Sequence, residues 1–333
     1  QSATTRAAAK GIDIPPAAPS TPAELCTALG GLLTALRERS EEEAIRVFAR
    51  NLHDLLLAAP AVAGTLHKGE IVERLASNVD PSVTYAYYVP EAYTPERQWP
   101  VVFVFDPRSR GAMAAELFRE AAEEFGWIVV SSNDTRSDGP VEPNARAING
   151  MWPDVHDRFA IAPKRIYATG FSGGAILAFS LAETTNAVAG VISVGGRHDD
   201  VARIDNVSFD WFGTAGNTDF NYLETREIED RLKELDAQWR FESFPGRHRW
   251  APKDLLRRSI EWMEVQAMKR GLRPVDKAIV TRALESDAAL AALETQKIEL
   301  ISRLLPPEGD FLVILIDALD GNDTITVGPT VQK

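Results

Sequence analysis

The feature that most constrains this chain is an alternation that begins near residue 80. Short runs rich in β-branched and aromatic residues take turns there with stretches of helical pattern. The runs are Val83–Val89, Val101–Phe105, Trp127–Ser132, Arg165–Thr169, Val188–Val194, Val207–Phe212 and Arg240–Phe244. Between them lie Ala112–Phe125, Gly174–Glu183 and Leu223–Leu235, and a further helix follows over Leu255–Arg270, closed by Gly271. Strand–helix alternation implies a mostly parallel sheet with helices on both faces. In such sheets ligands bind at the carboxyl ends of the strands, so a motif placed there outranks the same motif elsewhere.

The flanks read differently. Residues 1–22, rich in Ala, Pro, Ser and Thr, form a flexible arm. Residues 23–78 form an N-terminal helical extension: Leu25, Ala28, Leu29, Leu32, Leu33 and Leu36 recur at helical spacing. A second helix opens on Ser40-Glu41-Glu42-Glu43, a capping box, with Ile45, Phe48, Leu52 and Leu55 as its apolar stripe. The α/β region spans 79–272. Residues 273–333 form a helical tail to about Leu305, then a β-hairpin of Phe311–Ile316 and Thr324–Val327 around Asp320-Gly321. Gly321-Asn322-Asp323-Thr324-Ile325 is similar to half of a calcium-binding nonapeptide repeat, but one copy cannot stack into a β-helix, so a plain hairpin is expected.

Composition excludes some functions. The 333 residues carry a net charge of −12, which argues against binding nucleic acid, since that needs a basic face to neutralise phosphates. No apolar stretch is long enough to span a membrane. The one cysteine, Cys26, excludes an internal disulfide and a multi-cysteine zinc site, and its place on an apolar stripe reads as a small buried hydrophobe. The chain begins at Gln1, and the arm reads as a segment behind a cleavage site. The expectation is a secreted or periplasmic protein, with the cytoplasm as alternative. Composition leaves the oligomeric state open.

Ser172 stands in Gly170-Phe171-Ser172-Gly173-Gly174, between a strand and a helix. Small residues around it suit a turn so tight that side chains would collide. The turn raises the hydroxyl beside a helix N-terminus, where free N–H groups favour developing negative charge. A phosphate-binding loop is the competing reading, but the Lys-Ser/Thr it requires is missing.

This arrangement resembles the nucleophile elbow of the α/β-hydrolases. The run Asp154…Ile161-Ala162-Pro163-Lys164-Arg165-Ile166-Tyr167…Gly170 is similar to poly(3-hydroxybutyrate) depolymerase-like and feruloyl esterase-like enzymes, as are Tyr87-Tyr88-Val89-Pro90 and Pro245-Gly246-Arg247-His248-Arg249-Trp250. The resemblance covers about residues 79–270. It implies an α/β-hydrolase fold, a mostly parallel sheet flanked by helices, with the helical extensions at either end. It also implies a serine esterase using a Ser-His-Asp triad in the order Ser, acid, His.

The resemblance assigns the base to His248, just past the last strand; His198 is the alternative, and His53, His67 and His156 read as structural. The acid should follow Val207–Phe212, where the family often shows Gly-x-x-Asp. Here the chain reads Gly213-Thr214-Ala215-Gly216, with Asp219 three residues later. Asp219 is therefore the candidate acid, with a helix cap as its other reading. Asp210 within the strand and Asp205 before it are its competitors. The oxyanion hole should combine the N–H of Gly173 with that of Arg108, because Pro107 has none to give. Arg108 and Arg110 are placed to meet an anionic substrate or are plain solvated charges. Trp152, Trp250 and Tyr222 are candidate substrate contacts, with Trp211 beside them, and core packing is their other reading. No insertion between Val194 and Val207 supplies a lid, which disfavours a lipase acting on bulk fat.

The reading is thus a hydrolase of a small-molecule or polymeric carboxylic ester, needing no metal and no organic cofactor. A serine peptidase on the same fold is the nearest alternative. A non-catalytic surface or scaffold protein, supported by Gly216 at the acid position, is the alternative of a different class.

Overall fold

The computed structural model describes residues 66–304 apart from 138–140, 199, 206 and 236, with the backbone alone over 291–304. The N-terminal arm and helices, Cys26 and His53 among them, and the C-terminal hairpin lie outside the described residues. Residues 67–156 and 160–304 belong to one compact unit, which carries the sheet and the site described below.

Its centre is an eight-stranded sheet: β1 (Val72–Ala76), β2 (Thr84–Tyr88), β3 (Trp99–Phe105), β4 (Ile128–Ser132), β5 (Ile161–Phe171), β6 (Gly190–Val194), β7 (Asp210–Gly216) and β8 (Trp239–Phe244). The spatial order is β1-β2-β4-β3-β5-β6-β7-β8. β1 runs antiparallel to β2, and β2 antiparallel to β4; all other pairs are parallel. Strands β3, β4, β6 and β7 are buried along their whole length, as expected where helices cover both faces.

The helices are α1 (Gly111–Phe125), α2 (Glu142–Arg158), α3 (Gly173–Thr185), α4 (Tyr222–Glu234), α5 (Lys253–Lys269) and α6 (Lys277–Leu304). Ala114, Ala115, Phe118, Ala121, Ala122 and Phe125 form the buried stripe of α1, which stops at Gly126 in the left-handed conformation (φ 72°). That stripe and Leu256, Ile260 and Met263 of α5 share one core with Val102, Val104, Val129, Ile192 and Phe212 of the sheet. Side chains alternate across a strand, so Phe103 faces the other way and stacks on Trp152 of α2. This is the α/β-hydrolase fold: a mixed, mostly parallel sheet between helices.

Three elements depart from the sequence expectations. β1 lies inside the segment assigned to the helical extension (23–78) and joins the sheet at its edge. An edge strand with Glu73 and Arg74 exposed has no buried face to produce an alternating pattern. β5 starts at Ile161 rather than Arg165; Pro163 is accommodated because the pairing with β3 slips between Trp99 and Val101 and β6 joins only from Tyr167. β7 is shifted from Val207–Phe212 to Asp210–Gly216, so the Gly-Thr-Ala-Gly run is strand, not loop.

Candidate active site

Strand β5 ends at Phe171 and α3 begins at Gly173, leaving Ser172 alone in the turn. Its backbone (φ 55°, ψ −124°) lies where non-glycine residues are strained, at a cost of about 1–3 kcal/mol. Packing over-determines this geometry. A Cβ at Gly170 would fall 2.1 Å from the Gly174 carbonyl oxygen, and one at Gly174 would fall 1.9 Å from that of Phe105. The Ser172 N–H donates to Val194 O at 2.9 Å, which ties the turn to the end of β6.

Three expected site residues come together here. His248 Nε2 lies 2.8 Å from Ser172 Oγ. His248 Nδ1 lies 2.8 and 2.9 Å from the two carboxylate oxygens of Asp219. With Nδ1–H donating to that carboxylate, Nε2 is left as an acceptor facing the serine hydroxyl. The Asp219 side chain is fully buried and also accepts the Asn221 N–H at 2.8 Å. The cap position of α4 is Asn221, not Asp219. The imidazole has two ring neighbours: Phe171, buried, at 4.5 Å and Phe220, exposed, at 4.1 Å between centroids.

The glycine at position 216 has a steric cause. A Cβ there would sit 2.4 Å from Gly246 O and 2.7 Å from Arg247 O, because the histidine loop crosses directly against it. Asn217 N–H donates to Phe244 O and Thr218 N–H to Gly246 O, so this turn and the histidine loop form one unit. Asp219 N–H folds back to Gly216 O at 2.9 Å, carrying the carboxylate to the imidazole.

The competing residues lie elsewhere. Asp210 is the first residue of β7, at the opposite end of the strand, paired with Arg270 at 2.5 Å. Burial pushes its carboxyl up to about 6, against the pull of Arg270 and Lys269. Asp205 is exposed. His198 sits edge-on to Phe179, with Nε2 3.4 Å from Glu183. His156 donates to Trp152 O, and His67 meets Glu70.

Two expectations are corrected. First, the Arg108 N–H is not turned toward an oxyanion: it donates to Asp106 Oδ1 at 2.9 Å. Ser109 N–H goes to Asp106 O and Thr135 O, and Arg110 N–H to Asp106 Oδ1. Gly173 differs, since the N–H of a helix's first residue has no partner within the helix. Second, Trp250 and Tyr222 are buried packing residues, while Trp152 is half-buried. Trp250 is buried against Phe118 and Phe171, Tyr222 is buried against Phe241, and Trp152 stacks on Phe103. Trp211 is likewise wholly buried.

Asp106 and Phe220 carry structural weight that sequence reasoning missed. The buried Asp106 carboxylate accepts Arg110 Nε (2.9 Å), Arg110 Nη2 (2.8 Å) and the Trp250 indole N–H (2.8 Å), besides the two backbone donors. Burial acts to raise its pKa, but the bonds from Arg110, Trp250 and the Arg108 N–H outweigh it and hold the carboxyl below its usual value. The available signal was an acid ending a wholly apolar strand, four residues before an arginine. For Phe220 the signal was an aromatic ring directly after the candidate acid.

The site therefore has the class features of a hydrolase fold with a serine, an imidazole and a buried carboxylate in hydrogen-bonded line. No family model matches the chain. A stretch of 30 residues, 9% of the chain, is 73% identical to Protein YhgF of Escherichia coli (strain K12), of whose length it spans 4%. Among solved structures, a ferulic acid esterase is 14% identical, with 57% of this chain and 95% of that one covered at a TM-score of 0.46. The fluorophosphonate-binding serine hydrolase F of Staphylococcus aureus is 15% identical, over 59% of this chain and 99% of that one, at 0.48. The acylaminoacyl peptidase of Pyrococcus horikoshii is 15% identical, over 60% of this chain but 41% of that one, at 0.43. Among the described residues no helix is long and apolar enough to cross a membrane.

Proposed function

We propose that the protein is a serine hydrolase cleaving a carboxylic ester through an acyl-serine intermediate. The observation that carries this reading is the unbroken hydrogen-bonded line from Asp219 through His248 to Ser172. A serine hydroxyl becomes a useful nucleophile when an imidazole removes its proton. Ser172 Oγ attacks the ester carbonyl as His248 Nε2 takes the proton, and Asp219 fixes the tautomer through Nδ1–H. The Gly173 N–H, at the positive end of α3, stabilises the oxyanion. His248 then protonates the leaving alkoxide, and a water molecule activated by the same imidazole releases the acid and restores the serine.

The test is a fluorophosphonate probe read by intact mass, beside a panel of p-nitrophenyl esters and a matched p-nitroanilide. Wild type is expected to take up one probe and to hydrolyse esters, and Ser172→Ala to do neither. Labelling that persists in Ser172→Ala would sink the assignment. A wholly unreactive wild type favours the scaffold reading, and faster anilide than ester turnover favours a peptidase.

A further inference from the structure

Loop 106–110, which follows β3, and loop 133–137, which follows β4, meet at the carboxyl edge of the sheet through one isolated antiparallel bridge, Arg108 opposite Arg136. The bridge is bracketed by Ser109 N–H to Thr135 O at 3.1 Å and Ser137 N–H to Pro107 O at 3.0 Å. Those bonds flank the arginine pair instead of joining it, so this is the non-hydrogen-bonded kind of pair, in which side chains approach most closely. Directly opposed residues also project to the same side, and like charges so placed repel.

Two cations in this arrangement call for an anion between them, yet both arginines are exposed. Among the described residues neither guanidinium has a carboxylate partner. Several arginines elsewhere do: Arg110 holds Asp106, Arg257 holds Glu124, and Arg270 holds Asp210, while Arg74 and Arg249 are taken up by Thr84 Oγ1 and Pro245 O. The chain has 48 acidic residues against 36 Lys and Arg, so an unneutralised pair is not a matter of scarce carboxylates. The pair also borders the serine turn. Ser137, next to Arg136, packs so closely on Gly173 that a Cβ there would lie 2.4 Å from Ser137 Cβ.

From this geometry we infer that Arg108 and Arg136 form an anion-binding subsite beside Ser172, which selects esters carrying a carboxylate or similar anionic group. Arg110, the other arginine of the loop, is taken up by Asp106 and does not contribute. The inference rests on the serine-hydrolase reading for its substrate, though binding can be measured without turnover. Planar, forked donors suit a carboxylate, and a bound anion removes the repulsion between the two cations.

The experiment has two arms. In the first, kcat/KM is measured for p-nitrophenyl acetate and for mono-p-nitrophenyl glutarate, in wild type and in R108Q/R136Q. Wild type is expected to favour the glutarate, the preference shrinking as salt is added. The double variant is expected to lower the glutarate-to-acetate ratio about tenfold, the order of one lost charge-assisted hydrogen bond. A wild type without the preference, or a ratio unmoved by the substitutions, overturns the inference. In the second arm, calorimetry on Ser172→Ala compares monomethyl glutarate with dimethyl glutarate, with and without the arginine substitutions. Tighter binding of the monoanion that vanishes in the variant supports the subsite even if Ser172 proves unreactive to fluorophosphonate, an outcome that would remove the hydrolase reading alone. Equal binding of the two compounds, with Ser172 reactive, removes the subsite alone.

Discussion

Replacing Asp106 with Asn tests whether the loop after β3 and the histidine loop are held by one buried carboxylate. An amide oxygen can still accept from the Arg108 and Arg110 backbone N–H groups, but its NH2 then faces the Trp250 indole N–H, donor against donor. Trp250 is 9% exposed, so leaving its N–H unpaired costs about 1–3 kcal/mol. The Arg110 side chain is 43% exposed, and losing its ion pair adds at most about 1 kcal/mol after solvent screening. The sum, roughly 1–4 kcal/mol, corresponds to a fall in Tm of about 2–16 °C for a domain of this size. His248 lies two residues before Trp250, so kcat/KM on an ester should fall by about tenfold to a hundredfold as the imidazole loses its placement. The pH dependence has a definite sign. Asp106 is held below the ordinary aspartate value of 3.8, so its stabilising contribution is present above that pH and disappears as pH falls through its folded value. The Tm gap between wild type and variant should therefore close on acidification below pH 3.8. Scanning calorimetry across pH, with Trp250→Phe and the double variant, completes the measurement; the two sites should couple by about 0.5–3 kcal/mol. Unchanged Tm and kcat/KM in Asp106→Asn, or a gap indifferent to pH, would refute the reasoning.

Two further outcomes follow from the acid and its turn. Asp219→Asn should lower kcat by roughly 10³–10⁴ with the fold intact, the size expected when the acid that sets the histidine tautomer is lost, while Asp210→Asn leaves kcat unaltered because it sits at the far end of β7; equal kcat in the two variants would send the acid role elsewhere. Gly216→Ala forces a methyl against the backbone of Gly246 and Arg247, which cannot rotate away, and should cost about 1–3 kcal/mol in stability, read by urea unfolding.

Elements with a single strong signal were legible from the residues alone. Strand β3 is an unbroken apolar run, β4 opens on Ile128-Val129-Val130, and α1 carries a clean stripe, so their limits fall within a few residues of expectation. β1 was hidden because its pattern is polar on both faces at an edge. β7 was misplaced because Gly213, Thr214 and Gly216 read as loop residues. What makes them strand is pairing with β6 and β8, a long-range fact absent from local composition. Ser172 stood out by its place between a strand and a helix and His248 through the family resemblance, whereas the Arg108 N–H could not be excluded as a donor without seeing that Asp106 turns back to accept it. The aromatics failed for a related reason. Trp250 and Tyr222 are adjacent in sequence to site loops, but adjacency does not say which side of the loop a ring occupies.

The crowding at Gly216 reaches beyond this chain. Where the histidine loop lies flush on the strand end, that address is sterically closed to any side chain, and a carboxylate arrives instead by the reach of the following turn. A column-by-column comparison of relatives would score such a position as an acid lost and set the chain aside as inert. The point in space is occupied all the same. In this chain Asn217-Thr218-Asp219 brings a carboxylate to the imidazole one turn later.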